Sequence, residues 1–435
     1  MSYALTLAYV ALLYVRPGEL VREWAGIPFV AATGLLAAIT SVWSLFLRPR
    51  AFADLPNDWC FFGFVGAATL SIPANGWIGG SYYTLLALLP LLLLYLLIRL
   101  AVRTPQQLRG LIILLVALTL FQGVNGVVQY WTGVGFGDST AYAERYEQTD
   151  EDLLGQTEVT VERRVRGTGI FGDPNDLAMS LVMVFPFLFT AILTREPGNM
   201  RRVAALAALG LLAYALLLTQ SRGGLVGLAA LGAAYLYRRS GRVAPVVAVV
   251  VIAGFLLAAG SGRLREMRSS EASAQGRIQA WSAGLQMLKA KPVLGVGYDA
   301  YTEHHELVAH NSFVHTFAEL GLVGGYFFIG MFFWLYVGNG AGRNVADAAS
   351  SAFARDIWAS AVGMTVCALF LSRQYSPVLY VILAMGAARI SVERKSERLE
   401  PIQKRSDWGA LAGLTAAAVV AAYVAVRLLA VWSRA

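Results

Sequence analysis

Long apolar runs separated by short polar ones dominate the 435-residue chain. A bilayer-spanning helix needs about 17–25 mainly apolar residues. Spans are predicted near residues 3–15, 27–47, 59–72, 80–99, 110–131, 176–194, 203–220, 223–238, 243–260, 312–337, 353–371, 375–390 and 408–430. The first and third are short enough to be tilted or re-entrant, and the last lies beyond a charged linker. The run 203–238 is too long for one span, so Ser221-Arg222-Gly223-Gly224 is read as a turn between two. No alternation of period two suggests barrel strands. The predicted fold class is an all-α polytopic membrane protein of about 12–13 transmembrane helices.

Two long polar segments interrupt this pattern and divide the chain into 1–131, 132–175, 176–260, 261–311 and 312–435. The first polar segment opens acidic and turns basic at Arg163, Arg164 and Arg166. The second contains Arg263, Arg265, Arg268, Arg277, Lys289, Lys291, His304, His305 and His310. Within it, Ile278, Trp281, Leu285 and Leu288 recur at helical spacing, which predicts an amphipathic helix lying on the membrane. Lys291-Pro292 should end that helix, because proline excludes the helical conformation for the residue before it.

Composition agrees with membrane burial. Charged residues make up 14% of the chain, where a soluble protein carries about 25%. The net charge of +8 is read as loop charge that orients the chain, and no interleaving of aromatic and basic residues suggests a nucleic-acid surface. Arg48, Arg50, Arg99, Arg103, Arg109, Arg195, Arg201, Arg202, Arg238, Arg239 and Arg242 fall on one side by alternation, which the positive-inside rule makes cytoplasmic. Arg16 and Arg22 fall outside, against the rule. Both polar segments and the Arg222 turn then share the external face. Cys60 and Cys367 lie in apolar runs and are read as packing residues. The N-terminus lacks a basic leader and a small-residue cleavage pattern, so it is read as a retained span.

Two arginines carry the chemistry. A central arginine on a membrane helix costs about 2.5–3.5 kcal/mol even on the lenient insertion scale. Arg222 is either a phosphate clamp, helped by backbone donors at the helix start after it, or a snorkelling interfacial arginine. Arg277 opens the amphipathic helix, where the dipole favours negative charge. A negative ligand would reconcile the two; an exposed surface arginine is the plain alternative. Arg166 precedes a glycine-rich approach to Asp173-Pro174-Asn175, a turn that caps the next span. His310 is the best-placed histidine, beside Asn311 at the start of a span, where a neutral imidazole can take a proton from a hydroxyl. His315 is read as a structural residue inside the bundle. His304 and His305, with Glu303 and Glu306, fit no compact metal-ligand spacing. There is no Walker motif, dinucleotide fingerprint or nucleophile elbow, so no metal and no cofactor are expected.

Five motifs occur in order: Phe171-Gly172-Asp173-Pro174-Asn175, Thr219-Gln220-Ser221-Arg222-Gly223, Gly276-Arg277-Ile278-Gln279-Ala280-Trp281, Lys291-Pro292-Val293-Leu294-Gly295-Val296-Gly297-Tyr298 and His310-Asn311-Ser312-Phe313. Across roughly residues 160–390 the chain resembles the O-antigen ligase and polymerase superfamily, and most of all an O-antigen ligase. The resemblance implies a metal-independent, inverting glycosyltransferase of the C type in the bacterial inner membrane, with its active site facing the periplasm. Its donor would be a glycan on undecaprenyl diphosphate and its acceptor a sugar of the lipid A–core. Carried over by motif, Arg222, Arg277 and Arg166 would hold the diphosphate, His310 would be the base, and Asn175, Asn311 and Tyr298 would support them. The family has about twelve spans, which sets either residues 3–15 or 408–430 against the count. An O-antigen polymerase or a protein O-glycosylation ligase would use the same donor. A flippase is a third reading, but it would show internal repeats, and none stands out.

Overall fold

The computed structural model describes residues 1–47, 55–149, 157–193, 199–240, 267–340, 348–395 and 405–432. The expected span at 243–260 and residues Arg263 and Arg265 lie outside these.

The helices run in order as α1 (Ser2–Val15), α2 (Pro17–Leu20), α3 (Phe29–Leu47), α4 (Pro56–Ala74), α5 (Gly80–Ala101), α6 (Pro105–Thr132), α7 (Pro174–Leu193), α8 (Asn199–Leu218), α9 (Arg222–Ser240), α10 (Met267–Ala290), α11 (Tyr301–His304), α12 (Ser312–Asn339), α13 (Ala348–Phe370), α14 (Pro377–Lys395) and α15 (Arg405–Trp432). Eight of the described helices (α3, α5, α6, α7, α8, α12, α13 and α15) are long and apolar enough to cross a membrane. The protein is an all-α, multi-pass membrane protein. The expected short spans at 3–15 and 59–72 are helical, within α1 and α4. Helices α8 and α9 end and begin on either side of the Ser221 turn. Helix α10 stops at Ala290, as Lys291-Pro292 requires.

Among the described residues, one small sheet departs from the helical pattern. Strands β1 (Tyr142–Thr149) and β2 (Thr157–Arg164) pair antiparallel, Tyr142 opposite Arg164 and Thr149 opposite Thr157. The β2 sequence Thr-Glu-Val-Thr-Val-Glu-Arg-Arg alternates over a few residues and is rich in β-branched side chains, which suits a strand. It is too brief to register against thirteen apolar runs.

The chain divides into two compact units. The first comprises Met1–Thr40 and Arg109–Leu225. Its core is built around α7, where residues from Leu177 to Leu188 are all buried. Gln122 of α6 stitches this unit together: its amide donates to the Tyr14 carbonyl at 2.5 Å and to Thr168 Oγ1 at 2.9 Å, and its carbonyl accepts the Thr168 N–H at 3.0 Å.

The second unit comprises Ser41–Leu108 and Val226–Ala435. Helix α12 packs along α4 and also meets α10, α13, α14 and α15. A buried ion pair joins α4 to α5: Arg99 forks onto Asp58 through Nε and Nη2, both at 3.1 Å, and Tyr95 donates to the same carboxylate at 2.9 Å. Cys60 and Cys367 are both buried.

The expected single helix at 312–337 is interrupted. Gly321 has φ 63° and ψ −162°, so α12 breaks there. The break receives the loop after α10. Val296 and Gly297 donate to the carbonyls of Ala318 and Glu319 at 3.0 and 2.9 Å, while Leu322 and Val323 donate to Pro292 and Val293 at 2.8 and 3.2 Å. Both crossing points need glycine. A Cβ on Gly321 would stand 2.4 Å from the Val293 carbonyl, and one on Gly295 (φ 67°) would stand 2.2 Å from that of Glu319.

Candidate functional site

In the first unit, two motif turns are locked face to face. Asp173 precedes Pro174, which occupies the first turn of α7 as proline prefers. The Asp173 carboxylate accepts the Asn175 N–H at 2.7 Å. Asn175 Oδ1 accepts from Arg164 Nη2 at 3.2 Å and from Ser221 Oγ at 2.8 Å. Arg164 Nε reaches the Thr219 carbonyl at 3.1 Å. Ser221 Oγ also accepts the Gly224 N–H at 3.2 Å, the geometry of an N-cap on α9. Gly224 must be small, since a Cβ there would stand 2.8 Å from that of Ala178.

Arg222 is the first residue of α9 and is exposed. Among the described residues it makes no hydrogen bond or ion pair, although Ser221 before it and Gly224 after it are both bonded. Arg166 is held differently. Its Nε donates to the Thr140 carbonyl at 2.8 Å and its Nη1 to that of Gly172 at 3.5 Å. Its own N–H goes to Gln129 Oε1 at 2.9 Å. That guanidinium fastens the approach to Asp173. Arg166, Asn175 and Arg222 therefore belong to one unit and one neighbourhood of turns, with Arg164 as an additional member.

In the second unit, Arg277 is half-buried in the middle of α10, which starts at Met267, so it does not open the helix as expected and the N-terminal dipole argument does not apply to it. One turn later, Trp281 donates Nε1 to the carbonyl of Ala309 at 2.7 Å. Residues four apart share a helix face, so the face carrying Arg277 is the face applied to the segment just before His310. A second contact agrees: a Cβ on Gly276 would stand 3.4 Å from Leu307 Cδ1. The apolar face expected to lie on the membrane is partly taken up by protein. Met287 packs with Val296, Tyr301, Ala309 and Val314, and Trp281 lies against that cluster.

His310 is half-buried, with φ 49°, in the left-handed region. Non-glycine residues held there are costly and cluster at functional sites. Asn311 follows as the N-cap of α12, its Oδ1 accepting from Phe313 and Val314 at 2.9 and 3.2 Å. Gln220, with φ 53°, repeats the arrangement immediately before the Ser221 cap. Ser312 donates Oγ to the Leu371 carbonyl at 2.6 Å and accepts the Arg373 N–H at 2.8 Å, which anchors the turn to the loop after α13.

Tyr298 donates its N–H to Ser71 Oγ at 2.9 Å, and its ring lies 4.6 Å from that of Tyr375. Burial, then the nearby carboxylates of Asp299 and Glu319, pushes its phenol up to about 12. The same burial, reinforced by Glu319 and opposed by His315, raises the Asp299 carboxyl. His304 and His305 direct Nδ1 to the carbonyls of Ala300 and Leu307, at 3.0 and 2.8 Å. Among the described residues no three His, Cys, Asp or Glu side chains gather as a metal site.

The O-antigen ligase family model matches residues 180–329. That match, over about a third of the chain, supports membership of the O-antigen ligase superfamily. The matched segment contains Arg222, Arg277, Tyr298, His310 and Asn311; Arg166 and Asn175 precede it. The family points to glycosyltransferase-like enzymes of the ligase and polymerase type, whose substrates are in general lipid-linked glycans. A comparison with curated proteins gives no match.

Within this superfamily domain the structure adds residues that the sequence did not single out. Glu319, 1% exposed, accepts from the Tyr301 N–H at 3.1 Å and from the Tyr375 hydroxyl at 2.8 Å, and its Oε1 lies 3.0 Å from His315 Nε2. A glutamate inside an apolar run was the available signal, because buried carboxylates require partners.

Proposed function

We propose that the protein transfers a glycan from undecaprenyl diphosphate to a sugar of the lipid A–core, at the periplasmic face of the bacterial inner membrane. Arg222 and Arg277 bind the diphosphate and His310 is the base. The observation that carries this reading is the Trp281–Ala309 bond, which seats the helix of Arg277 on the turn that presents His310.

The reaction balances without a cofactor. His310 takes the proton of the acceptor hydroxyl. The oxygen attacks the anomeric carbon from the face opposite the diphosphate, and the bond from that carbon to the phosphate oxygen breaks with inversion. The leaving diphosphate gains negative charge. Cationic donors aimed at it stabilise the transition state, and removing one such donor costs about 10²–10³ in rate. Positioned proton transfer contributes about 10²–10⁴. The polyprenyl tail stays in lipid, so the cations that take the diphosphate must stand near the membrane surface. Metal independence rests on the family resemblance. O-antigen polymerase and protein O-oligosaccharyltransferase activity share this donor chemistry and differ in the acceptor.

The test is transfer by purified protein in lipid nanodiscs, with undecaprenyl diphosphate glycan and three acceptors: lipid A–core, free glycan and protein. Transfer to lipid A–core, abolished by Arg222→Ala, Arg277→Ala and His310→Ala in folded protein, is expected. Full rate in His310→Ala, or arrest by a chelator, would sink the mechanism.

A further inference from the structure

Resting on the transfer reaction above, we propose that Tyr301 and Glu319 are a positioning pair that sets how the Arg277 helix presents itself to His310. Tyr301 is held at both ends. Its N–H donates to Glu319 Oε1 at 3.1 Å, and its hydroxyl donates to the carbonyl of Ala280 on α10. Gly284 makes the second bond possible: a Cβ there would stand 3.1 Å from the Tyr301 hydroxyl and 2.9 Å from Val314.

Positions 277, 280, 281 and 284 share one stripe of α10 by their spacing. Along it the helix is gripped by the phenol at Ala280, by the Ala309 carbonyl at Trp281 and by close packing at Gly284. Rotation of α10 about its axis would break these contacts and re-aim Arg277. Glu319 is the fixed end of the clamp. Its side chain is bound by Tyr301, His315 and Tyr375, and its own carbonyl accepts the Gly297 N–H.

Simple adhesion between two helices needs none of this polarity. Apolar residues of similar volume hold a packed interface at least as well as a buried charge does. Directional bonds fix rotation and register, which apolar contact leaves loose. A catalytic cation whose misplacement by 1 Å costs about a hundredfold requires that registration.

The experiment compares Tyr301→Phe, Glu319→Gln and Glu319→Leu in nanodiscs, reading kcat and donor KM. A second readout needs no activity: crosslinking of Gly276→Cys to Leu307→Cys by a short bifunctional thiol reagent, with the two native cysteines buried. Tyr301→Phe keeps the ring and so the fold. It is expected to lose kcat by about tenfold to a hundredfold, to hold donor KM within about twofold and to crosslink more slowly. Glu319→Gln still accepts the Tyr301 N–H and should retain most of both signals; Glu319→Leu should lose both. Unchanged kcat in Tyr301→Phe overturns the proposal, as does lost kcat with unchanged crosslinking. If the parent chain transfers no glycan while crosslinking still responds to Tyr301→Phe, the transfer reading fails and the clamp stands.

Discussion

Replacing Ser221 with alanine tests whether the two locked turns of the first unit exist to aim Arg222. Ser221 is 1% exposed and its hydroxyl makes two bonds. As N-cap of α9 it is worth about 0.5–2 kcal/mol. Its bond to Asn175 adds a net of about 0.5–1.5 kcal/mol, and Asn175 Oδ1 is not orphaned because Arg164 remains on it. The helix is unusually dependent on this cap. Its second and third residues are Gly223 and Gly224, each about 1 kcal/mol poorer than alanine in a helix interior. The expected loss is therefore roughly 2 kcal/mol, centred on the turn that carries the exposed guanidinium. If about 1.4 kcal/mol of that falls on the donor-bound state, affinity for the donor drops about tenfold. The assay is a donor titration of purified Ser221→Ala in nanodiscs, beside a thermal unfolding scan. A lowered unfolding transition with the parent's donor KM would refute the reasoning: the cap would then serve folding alone.

Three further outcomes follow. His310→Gly relieves a left-handed backbone that costs a non-glycine residue about 1 kcal/mol, so its unfolding transition should equal or exceed the parent's while transfer disappears. Asp299 has its carboxyl raised from an ordinary 3.8 by burial, so its stabilising contribution is complete below the unfolded value and is lost as pH rises through the folded one. Asp299→Asn, which suits the left-handed φ of 58° at that position, should unfold at a higher temperature than the parent at neutral pH and at the same temperature near pH 3. Asp58→Ala strands Arg99 at 3% side-chain exposure and should cost about 3–5 kcal/mol, seen as a collapse in the yield of monodisperse protein; an unchanged yield and transition would show that water reaches the pair.

The membrane architecture was legible because apolar length is a strong and local signal. The turn at Ser221 was legible for a related reason: 203–238 is too long to cross once, and serine with two glycines marks the stop. The onset of α7 at Asp173-Pro174-Asn175 follows from capping chemistry that acts within three residues. What stayed hidden depends on partners distant in the chain. Nothing near Asp58 announces Arg99, forty-one positions away. Glu319 reads as an oddity in an apolar run until Tyr301, from α11, and Tyr375, from the loop after α13, arrive beside it. Gly321 looked like any helix glycine, because the demand for φ 63° comes from the chain beside it. Arg222, Arg277 and His310 could be singled out by residue type beside apolar runs, whereas the role of Trp281 rests on a bond twenty-eight residues away.

The interlocked pair of glycines has a consequence for inheritance. Residues 292–297 and 318–323 close on each other like two halves of a zip, each backbone occupying the room that the other's missing side chain leaves. Neither half can drift alone. A recombinant carrying a foreign 291–298 segment will assemble only if the matching stretch of α12 travels with it, so loop grafts must be cut outside both.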